Sequence, residues 1–216
     1  MNSKLNLIEI FRSVQGETSY TGLPTTFIRL AACNLRCTWC DTTYSFGRGE
    51  PWEVEVIIDK VKEFGCKYVC VTGGEPLLQK DVHTLMNRLC EAGYKLSLET
   101  GGSLPIAHVH PDVKIILDLK CPGSGMSAKN YWGNIPILKG SDEVKFVLLD
   151  RVDYEWARDV CHKHGLTHLV EEVLLSPVHG KLDPKDLIQW MLEDALDVRL
   201  NLQVHKFIWD PETKGV

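Results

Sequence analysis

The sequence predicts an α/β protein, an incomplete TIM-type barrel of parallel strands with a reduced set of helices. Apolar, β-branched runs alternate along the chain with loops and amphipathic stretches, a pattern typical of β-α-β units with parallel strands. The chain has 216 residues, whereas a closed eight-stranded barrel typically uses about 250. The helical segments are also too few to close such a barrel. The pattern leaves an open, doubly wound sheet as the alternative.

The order of the elements follows from the apolar pattern. The predicted strands are 5–11, 26–31, 68–72, 95–99, 114–118, 143–149, 172–175 and 202–207. The predicted helices are 54–64, 80–92, 154–164 and 184–196. Pro184 directly after Asp183 indicates a helix start, with Asp183 as the cap. Because no linker or repeat interrupts the chain, we predict one domain with an N-terminal extension at 1–25, a barrel core at 26–200, and a C-terminal strand and tail at 201–216.

The composition is that of a globular chain with a mild negative charge. Lys and Arg number 24 against 29 Asp and Glu, so the formal net charge is −5 at pH 7. Such a chain lacks the basic surface that nucleic acid or an anionic membrane requires. No apolar run approaches a membrane span, and no apolar signal segment follows Met1. We therefore expect a cytoplasmic protein with no nucleic-acid or membrane partner, whose cysteines are free or bound to metal.

Polar or small residues follow most of the predicted strands. In parallel α/β folds the chemistry lies at the carboxyl ends of the strands, so these residues are expected to face one cavity. They are Cys33, the run Thr72-Gly73-Gly74-Glu75, Glu99, Asp118, Lys120 and Ser176.

Three cysteines, Cys33, Cys37 and Cys40, share one short loop after a predicted strand. Thiolates select zinc or iron–sulfur clusters. A structural zinc site usually takes four protein ligands, and this loop has no obvious fourth. A cubane cluster held by three cysteines keeps one iron open to an outside ligand, and Trp39 is placed to shield it from solvent. A cluster is therefore the favoured interpretation, and a zinc loop is the alternative.

A glycine-rich run, Thr72-Gly73-Gly74-Glu75-Pro76, follows the predicted strand 68–72. Paired glycines let the main chain approach a ligand closely, while Glu75 and exposed carbonyls are acceptors for an ammonium group. Alone, such a pair is more often a turn. Together with the cysteine loop one strand earlier, the run resembles the motif with which the radical S-adenosylmethionine (SAM) superfamily holds the methionyl amine of SAM.

The resemblance to that superfamily implies a [4Fe–4S] cluster on Cys33, Cys37 and Cys40, with SAM bound at the open iron. Lys120 would pair with a carboxylate as a point charge, and Glu99 would accept from ribose hydroxyls. Outside this context the two would be a surface lysine and a capping glutamate. The implied SAM contacts are Trp39, Asp41, Gly73, Gly74, Glu75, Glu99, Asp118, Lys120 and Ser176.

Both ends of the chain carry further polar residues. Arg29 lies inside the predicted strand 26–31, and an arginine is costly to bury without an anion. We expect it to meet a bound anion or, as the alternative, Glu17 or another internal acid. At the other end, the predicted strand 202–207 alternates polar and apolar residues, and its polar face is expected to point into the cavity.

Taken together, residues 13–17, Arg29, 40–42 and 203–206 resemble the family of 7-carboxy-7-deazaguanine synthases, over nearly the whole chain. That family converts 6-carboxy-5,6,7,8-tetrahydropterin to 7-carboxy-7-deazaguanine with release of ammonia, in 7-deazapurine and queuosine-precursor biosynthesis. The resemblance implies Mg²⁺ on Thr42, with substrate oxygens and water completing its shell. The implied pterin site consists of Val14, Gln15, Gly16, Glu17, Arg29, Thr72 and His205.

The same resemblance implies a homodimer and a reducing partner such as flavodoxin or ferredoxin. No residue stands out from the sequence as the general acid for the loss of ammonia. Two alternatives stay open. One is an activase that makes a glycyl radical on a partner protein and shares the cysteine loop, and the other is a zinc-binding or electron-transfer module without catalysis.

Overall fold

The computed structural model describes residues 3–211 and 213–216. Its strands are β1 (Lys4–Val14), β2 (Pro24–Leu30), β3 (Glu50–Glu53), β4 (Tyr68–Gly73), β5 (Lys95–Thr100), β6 (Lys114–Asp118), β7 (Glu143–Leu148), β8 (Glu172–Pro177) and β9 (Arg199–Leu200). They form one sheet in the order β3-β1-β2-β4-β5-β6-β7-β8-β9. β1 runs antiparallel to β2 and β3, whereas β2 and β4 to β9 are parallel.

Five of the six described helices lie between strands in the chain order, and the sixth follows the last strand. They are α1 (Val54–Phe64), α2 (Val82–Glu91), α3 (Arg151–His164), α4 (Leu166–Leu169), α5 (Pro184–Glu193) and α6 (His205–Ile208). Short 3₁₀ turns occupy Thr43–Phe46, Pro76–Leu78, Pro122–Ser124, Ser127–Lys129 and Trp132–Ile137. In the described part of the chain, none of these helices has the length and apolar character needed to cross a bilayer.

The sheet is an open barrel. Its edge strands β3 and β9 do not pair with each other within the described residues. Helices lie between β3 and β4, β4 and β5, β7 and β8, and β8 and β9, whereas β5, β6 and β7 follow one another without an intervening α-helix. This arrangement confirms the predicted fold class, an incomplete barrel with a reduced set of helices.

Strand β7 shows how the sequence divides the two faces of the sheet. Val144, Phe146 and Leu148 are fully buried in an apolar cluster that includes Tyr154 of α3. Successive side chains of a strand point to opposite faces, so Lys145 points to the inside of the barrel, which we call the lumen. The apolar face thus holds the helices, and the lumen receives the polar side chains.

Helix ends follow the local signals in the sequence. α1 buries Val54, Ile57, Ile58 and Val61 along one face and stops at Gly65, which has φ +67°, a conformation that favours glycine. α5 begins as predicted, because the side chain of Asp183 accepts from the main-chain nitrogen of Lys185 at 2.9 Å and Pro184 is the first helical residue. It ends earlier than predicted, at Glu193.

The loop between β1 and β2, residues 15–23, closes the end of the barrel where the parallel strands begin. We call it the floor loop. The main-chain nitrogen of Ser19 donates to Glu143 at 3.2 Å, and Lys114 Nζ lies 3.0 Å from Ser19 Oγ and 2.8 Å from Glu143. Lys114 and Glu143 are the first residues of β6 and β7, so this buried ion pair fastens the loop to the base of the sheet.

The predicted strand 202–207 is wrong. The chain leaves the sheet after β9, turns, and forms the short helix α6. The main-chain nitrogen of Val204 donates to the carbonyl oxygen of Gly16 at 2.9 Å, so this segment bonds to the floor loop instead of adding a strand. The C-terminal segment 201–216 therefore lacks the strand that we predicted within it.

Two short strands escaped prediction. β3 contains Pro51 and pairs with β1 alone at the edge of the sheet, which is where proline is tolerated in sheets. β9 comprises only Arg199 and Leu200. Segments this short carry no periodicity, so their pairing depends on the neighbours that the fold brings to them.

Candidate functional site

The carboxyl ends of the parallel strands bring the predicted polar residues into one lumen. Arg29 lies beside Thr72 in the register of β2 and β4, and Asp118 lies beside Lys145 in that of β6 and β7. Thr72 Oγ1 donates to Glu99 at 3.0 Å, which joins β4 to β5. Polar side chains of successive strands therefore form a continuous band around the lumen.

The cysteine loop follows β2 directly. All three thiols, those of Cys33, Cys37 and Cys40, are free and half-buried. The loop is held against the turn after β6, because Thr38 donates from its main-chain nitrogen to Ser124 at 3.2 Å and from its hydroxyl to Gly123 at 2.9 Å. The three thiols therefore sit on an anchored loop at the mouth of the lumen.

The donor set fits an iron–sulfur cluster. Burial raises the pKa of the Cys37 thiol, while the ammonium of Lys120 opposes that shift and favours the thiolate, the form that binds metal. Among the residues that the structure describes, no three His, Cys, Asp or Glu are grouped so that one metal ion is held. A cubane spreads its cysteines over separate irons.

The two glycines of the run 72–76 are required by the protein itself. A Cβ on Gly73 would lie 2.2 Å from the carbonyl oxygen of Leu30, and one on Gly74 would lie 2.0 Å from that of Ala32. The main-chain nitrogens of Gly74 and Glu75 donate to these same two carbonyls, at 3.1 and 2.8 Å. The glycines thus let the main chain of the run 72–76 approach the end of β2, in addition to the ligand that we expected there. This contact joins the run 72–76 to the start of the cysteine loop.

Glu75 is fully buried, and its carboxylate is hydrogen-bonded within the protein. It accepts from Thr100 Oγ1 at 2.9 Å and from the main-chain nitrogens of Gly101 and Leu77 at 2.8 and 3.1 Å. Burial raises the pKa of Glu75 and these hydrogen bonds only partly offset it. The side chain therefore braces the end of β5, and its predicted contact with the amine of SAM stays a prediction.

Asp118 offers an acceptor that the protein does not use. Its Oδ2 pairs with Lys120 Nζ at 2.9 Å, whereas its Oδ1 is buried and has no hydrogen-bond partner in the described residues. Buried oxygens of this kind normally have a partner. The orphaned oxygen therefore fits a ligand that carries hydroxyl or ammonium donors, as SAM does.

The floor loop and the C-terminal segment present the predicted pterin residues. Gln15 Nε2 donates to Glu99 at 3.2 Å, and Gln203 Nε2 donates to Glu17 at 2.8 Å. A Cβ on Gly16 would lie 2.0 Å from Nδ1 of His205, so glycine at this position makes room for the imidazole. Burial lowers the pKa of His205 and favours its neutral form.

Arg29 has an internal partner, as the alternative in the sequence analysis allowed, but this partner is Glu9 and not Glu17. Arg29 Nε donates to Glu9 Oε1 at 2.7 Å, and the hydroxyl of Tyr44 donates to the same oxygen at 2.9 Å. The two terminal nitrogens of the guanidinium have no acceptor among the described residues. Arg29 therefore keeps the pair of donors that binds both oxygens of a carboxylate.

The remaining predicted residues lie on the cysteine loop or just after it, on β8, or at the end of β1. Thr42 Oγ1 donates to Asp41 Oδ1 at 2.8 Å, and Asp41 Oδ2 pairs with Lys206 at 3.0 Å. Ser176 is 1% exposed, and its hydroxyl accepts from Asn201 Nδ2 at 2.8 Å. The half-buried Trp39 lies on the cysteine loop, and Val14 lines a separate surface cavity of about 540 Å³ beside Arg12 and Trp209. All predicted site residues except Val14 thus lie in the lumen or at its mouth. Each predicted contact with a ligand stays a prediction.

Sequence reasoning missed two charged residues. Lys145 forms an ion pair with Glu17 inside the lumen, and Glu9 holds Arg29. Lys145 could have been found from the sequence, since it is a polar residue that alternates with apolar residues along a predicted strand. Glu9 could not, because its place opposite Arg29 depends on the antiparallel register of β1 and β2.

Fold and site together define a radical SAM protein: a partial parallel barrel whose first parallel strand leads into a three-cysteine loop. The family model described as the Radical SAM superfamily matches residues 27–120. More narrowly, the chain belongs to the 7-carboxy-7-deazaguanine synthase family. A protein of that name from Koribacter versatilis is 47% identical over 98% of this chain and 100% of its own length.

Other comparisons agree with this assignment. A 7-carboxy-7-deazaguanine synthase from Chlorobaculum tepidum is 41% identical over 98% of this chain and 97% of its own. The crystal structure of QueE from Escherichia coli superposes with a TM-score of 0.77 at 22% identity, covering 94% of this chain and 95% of that one. The likeness to the QueE structure shows a shared fold.

Proposed function

We propose that this chain is a radical SAM lyase that converts 6-carboxy-5,6,7,8-tetrahydropterin to 7-carboxy-7-deazaguanine and ammonia, a step toward queuosine and other 7-deazapurines. Support comes from the family to which the chain belongs. The observation that carries the proposal is the lumen itself, where the free guanidinium nitrogens of Arg29 are complementary to a carboxylate and Gln15 and Glu17 are complementary to a pyrimidine edge.

Cys33, Cys37 and Cys40 would hold a [4Fe–4S] cluster, and Asp118, Lys120 and the main chain at Gly74 would hold SAM. When bound, the two supply radical chemistry that removes hydrogen from an unreactive carbon. The contribution of the protein is position and shelter. The floor loop and α6 close the lower part of the lumen, which keeps water from the reacting ring.

Each pterin contact has a physical reason. Arg29 binds the carboxylate at two oxygens, since its geometry is preorganised by Glu9. Glu17 accepts from the ring N–H and amino donors of the pyrimidine edge, while Gln15 both accepts and donates. Neutral His205, packed over Gly16, contributes a nitrogen donor or acceptor without adding charge. Thr72 Oγ1 links the ring to Glu99.

Arg29→Lys is expected to raise the KM for the pterin at least tenfold, which is about 1.4 kcal/mol of binding. Lysine keeps the charge beside Glu9 but loses the two-pronged contact with a carboxylate. Steady-state kinetics with the cluster reconstituted measures the effect. Arg12→Lys on the outer surface is the matched control, and an unchanged KM in Arg29→Lys would remove Arg29 from the substrate site.

We place Mg²⁺ at Thr42, with the hydroxyl supplying one oxygen and substrate and water supplying the others. Thr42→Ala is expected to reduce the stimulation of turnover by Mg²⁺ several-fold while the visible absorption of the cluster is retained. Thr42→Ser keeps the hydroxyl and its bond to Asp41, so it should behave as the wild type, as should the neighbouring Thr43→Ala. Full Mg²⁺ stimulation in Thr42→Ala would refute the assignment.

The proposal extends to partners of the protein. A homodimer and a flavodoxin or ferredoxin as reductant follow from the family resemblance, and the cytoplasmic location predicted from the sequence is proposed with them. Sedimentation of the reconstituted protein would test the first, and reduction of the cluster by each carrier would test the second.

The decisive experiment for the function is anaerobic turnover. Reconstituted protein, SAM, Mg²⁺, reductant and the carboxypterin should yield the deazapurine, identified by mass, and ammonia in equal amount. Absence of the product from protein that holds its cluster and cleaves SAM would overturn the proposed substrate while leaving the radical SAM class intact.

A further inference from the structure

Lys145 carries a largely buried ammonium inside the lumen. Its neighbours Val144 and Phe146 are fully buried on the helix side of β7, so its side chain points inward, where it is 14% exposed and forms an ion pair with Oε2 of Glu17. Because Glu17 lies on the floor loop, this ion pair joins the loop to the wall of the barrel.

The cations of the lumen are each matched with one carboxylate. The pairs are Arg29 with Glu9, Lys120 with Asp118, and Lys145 with Glu17. Among the residues that the structure describes, the two side chains that donate a hydrogen bond to Glu99 are neutral, Gln15 Nε2 and Thr72 Oγ1. The ammonium of Lys145 favours the charged form of two buried carboxyl groups, Glu17 and Glu99, and a buried charge without a partner is costly.

We infer that Lys145 is a positioning residue of the pterin site, acting through Glu17. It holds the Glu17 carboxylate charged and aimed, so that this group recognises a heterocycle edge built of adjacent N–H and amino donors. The inference rests on the proposed function and deepens it by naming what sets the charge of the recognition group.

The contacts of Glu17 leave room for that role. Its Oε2 meets Lys145 and its Oε1 meets Gln203 Nε2 at 2.8 Å. A carboxylate has about four acceptor positions, so one on each oxygen remains for the substrate. Two parallel acceptors match the paired donors of a 2-amino-4-oxopyrimidine edge.

The charges around Glu17 determine what happens without Lys145. Burial raises the pKa of Glu17, and the charge and hydrogen bond of Lys145 outweigh it, so the pKa is lowered overall. The other titratable groups that face Glu17 are Asp41 from the cysteine loop, Glu99 on β5 and His205 at the start of α6. The two acids repel a negative charge, and partial burial lowers the pKa of His205 and favours its neutral form, so none of the three replaces the ammonium.

The test compares Lys145→Met with Lys145→Arg in the reconstituted holoenzyme. We expect Lys145→Met to raise the pterin KM at least tenfold at neutral pH. In the wild type Glu17 stays ionised through the neutral range, so its titration adds no step to the pH profile of kcat/KM in that range. In Lys145→Met the pKa of Glu17 rises, so kcat/KM should fall as the pH is lowered and recover as it is raised. A merely structural loss would not recover with pH.

Arginine should restore most of the KM and a flat profile, because it keeps the charge. Lys185→Met on the exposed face of α5 is the matched control and should leave both quantities unchanged. A Lys145→Met variant with wild-type KM, or with a flat profile, would overturn the inference.

A double-mutant cycle with Glu17→Gln separates action through Glu17 from any other role. We expect Lys145→Met to add less than twofold to the KM of Glu17→Gln and to produce no pH dependence there. Full additivity would overturn the inference. If Lys145→Met fails to fold, the comparison of Glu17→Gln with the double variant still tests the inference. The double variant lacks both the ammonium and the carboxylate, so neither charge is left without its partner.

The cycle is also run on carboxypterin binding by calorimetry. If wild-type protein binds the pterin and makes no deazapurine, the proposed reaction fails while the binding cycle still decides the role of Lys145. Wild-type protein that does not bind the pterin would refute both.

Discussion

Replacing Cys33, Cys37 or Cys40 with serine should abolish turnover and remove the visible absorption of the reconstituted protein. Each substitution leaves two thiolates for a cluster that needs three protein ligands to keep one corner for SAM. The fold should survive, because the thiols are half-buried on a loop outside the apolar clusters. We expect the free energy of unfolding of the protein without its cluster to change by less than about 1 kcal/mol.

The chain supplies its own control. Cys90 is also half-buried and free, but it lies on α2, away from the cysteine loop. Cys90→Ser should keep the iron and sulfide content, the absorption and the turnover. Retention of a full cluster in Cys37→Ser, or its loss in Cys90→Ser, would contradict the assignment.

Gly74→Ala should lower turnover by about a hundredfold or more and destabilise the fold by about 2 kcal/mol. The added Cβ would lie 2.0 Å from the carbonyl oxygen of Ala32 and 2.9 Å from Cβ of Cys33, and a main-chain carbonyl cannot move aside as a flexible side chain does. The loop must withdraw from β2, which lengthens the bonds of Gly74 and Glu75 to Leu30 and Ala32. Because this withdrawal also displaces the start of the cysteine loop, the affinity for SAM should fall together with the stability.

Denaturant unfolding and SAM binding measured on one preparation separate the two effects. Gly140→Ala is the matched control, since a Cβ there meets no atom within 4 Å, and it should change neither quantity. A Gly74→Ala variant that binds SAM normally would show that the close approach to β2 is not needed for the cofactor site.

How much of the site could be predicted depends on how far apart its residues lie in the sequence. The cysteine loop and the run 72–76 could be predicted because their chemistry lies in contiguous residues. Glu9 and Arg29 are 20 residues apart, and Glu17 and Lys145 are 128 apart. Such pairs depend on strand register and on the path of the floor loop, neither of which leaves a local pattern.

The sequence alone determined the fold class, the position of nearly every core strand and helix, and the two loops that define the radical SAM class. Those features follow from local periodicity and from ligands that are neighbours in the chain. The tertiary structure decided which charges meet, that Glu75 braces the end of β5, and that the segment after Leu200 turns into α6. The reason is burial, since the cost of an uncompensated charge or an unbonded main-chain group depends on three-dimensional surroundings that only the folded chain supplies.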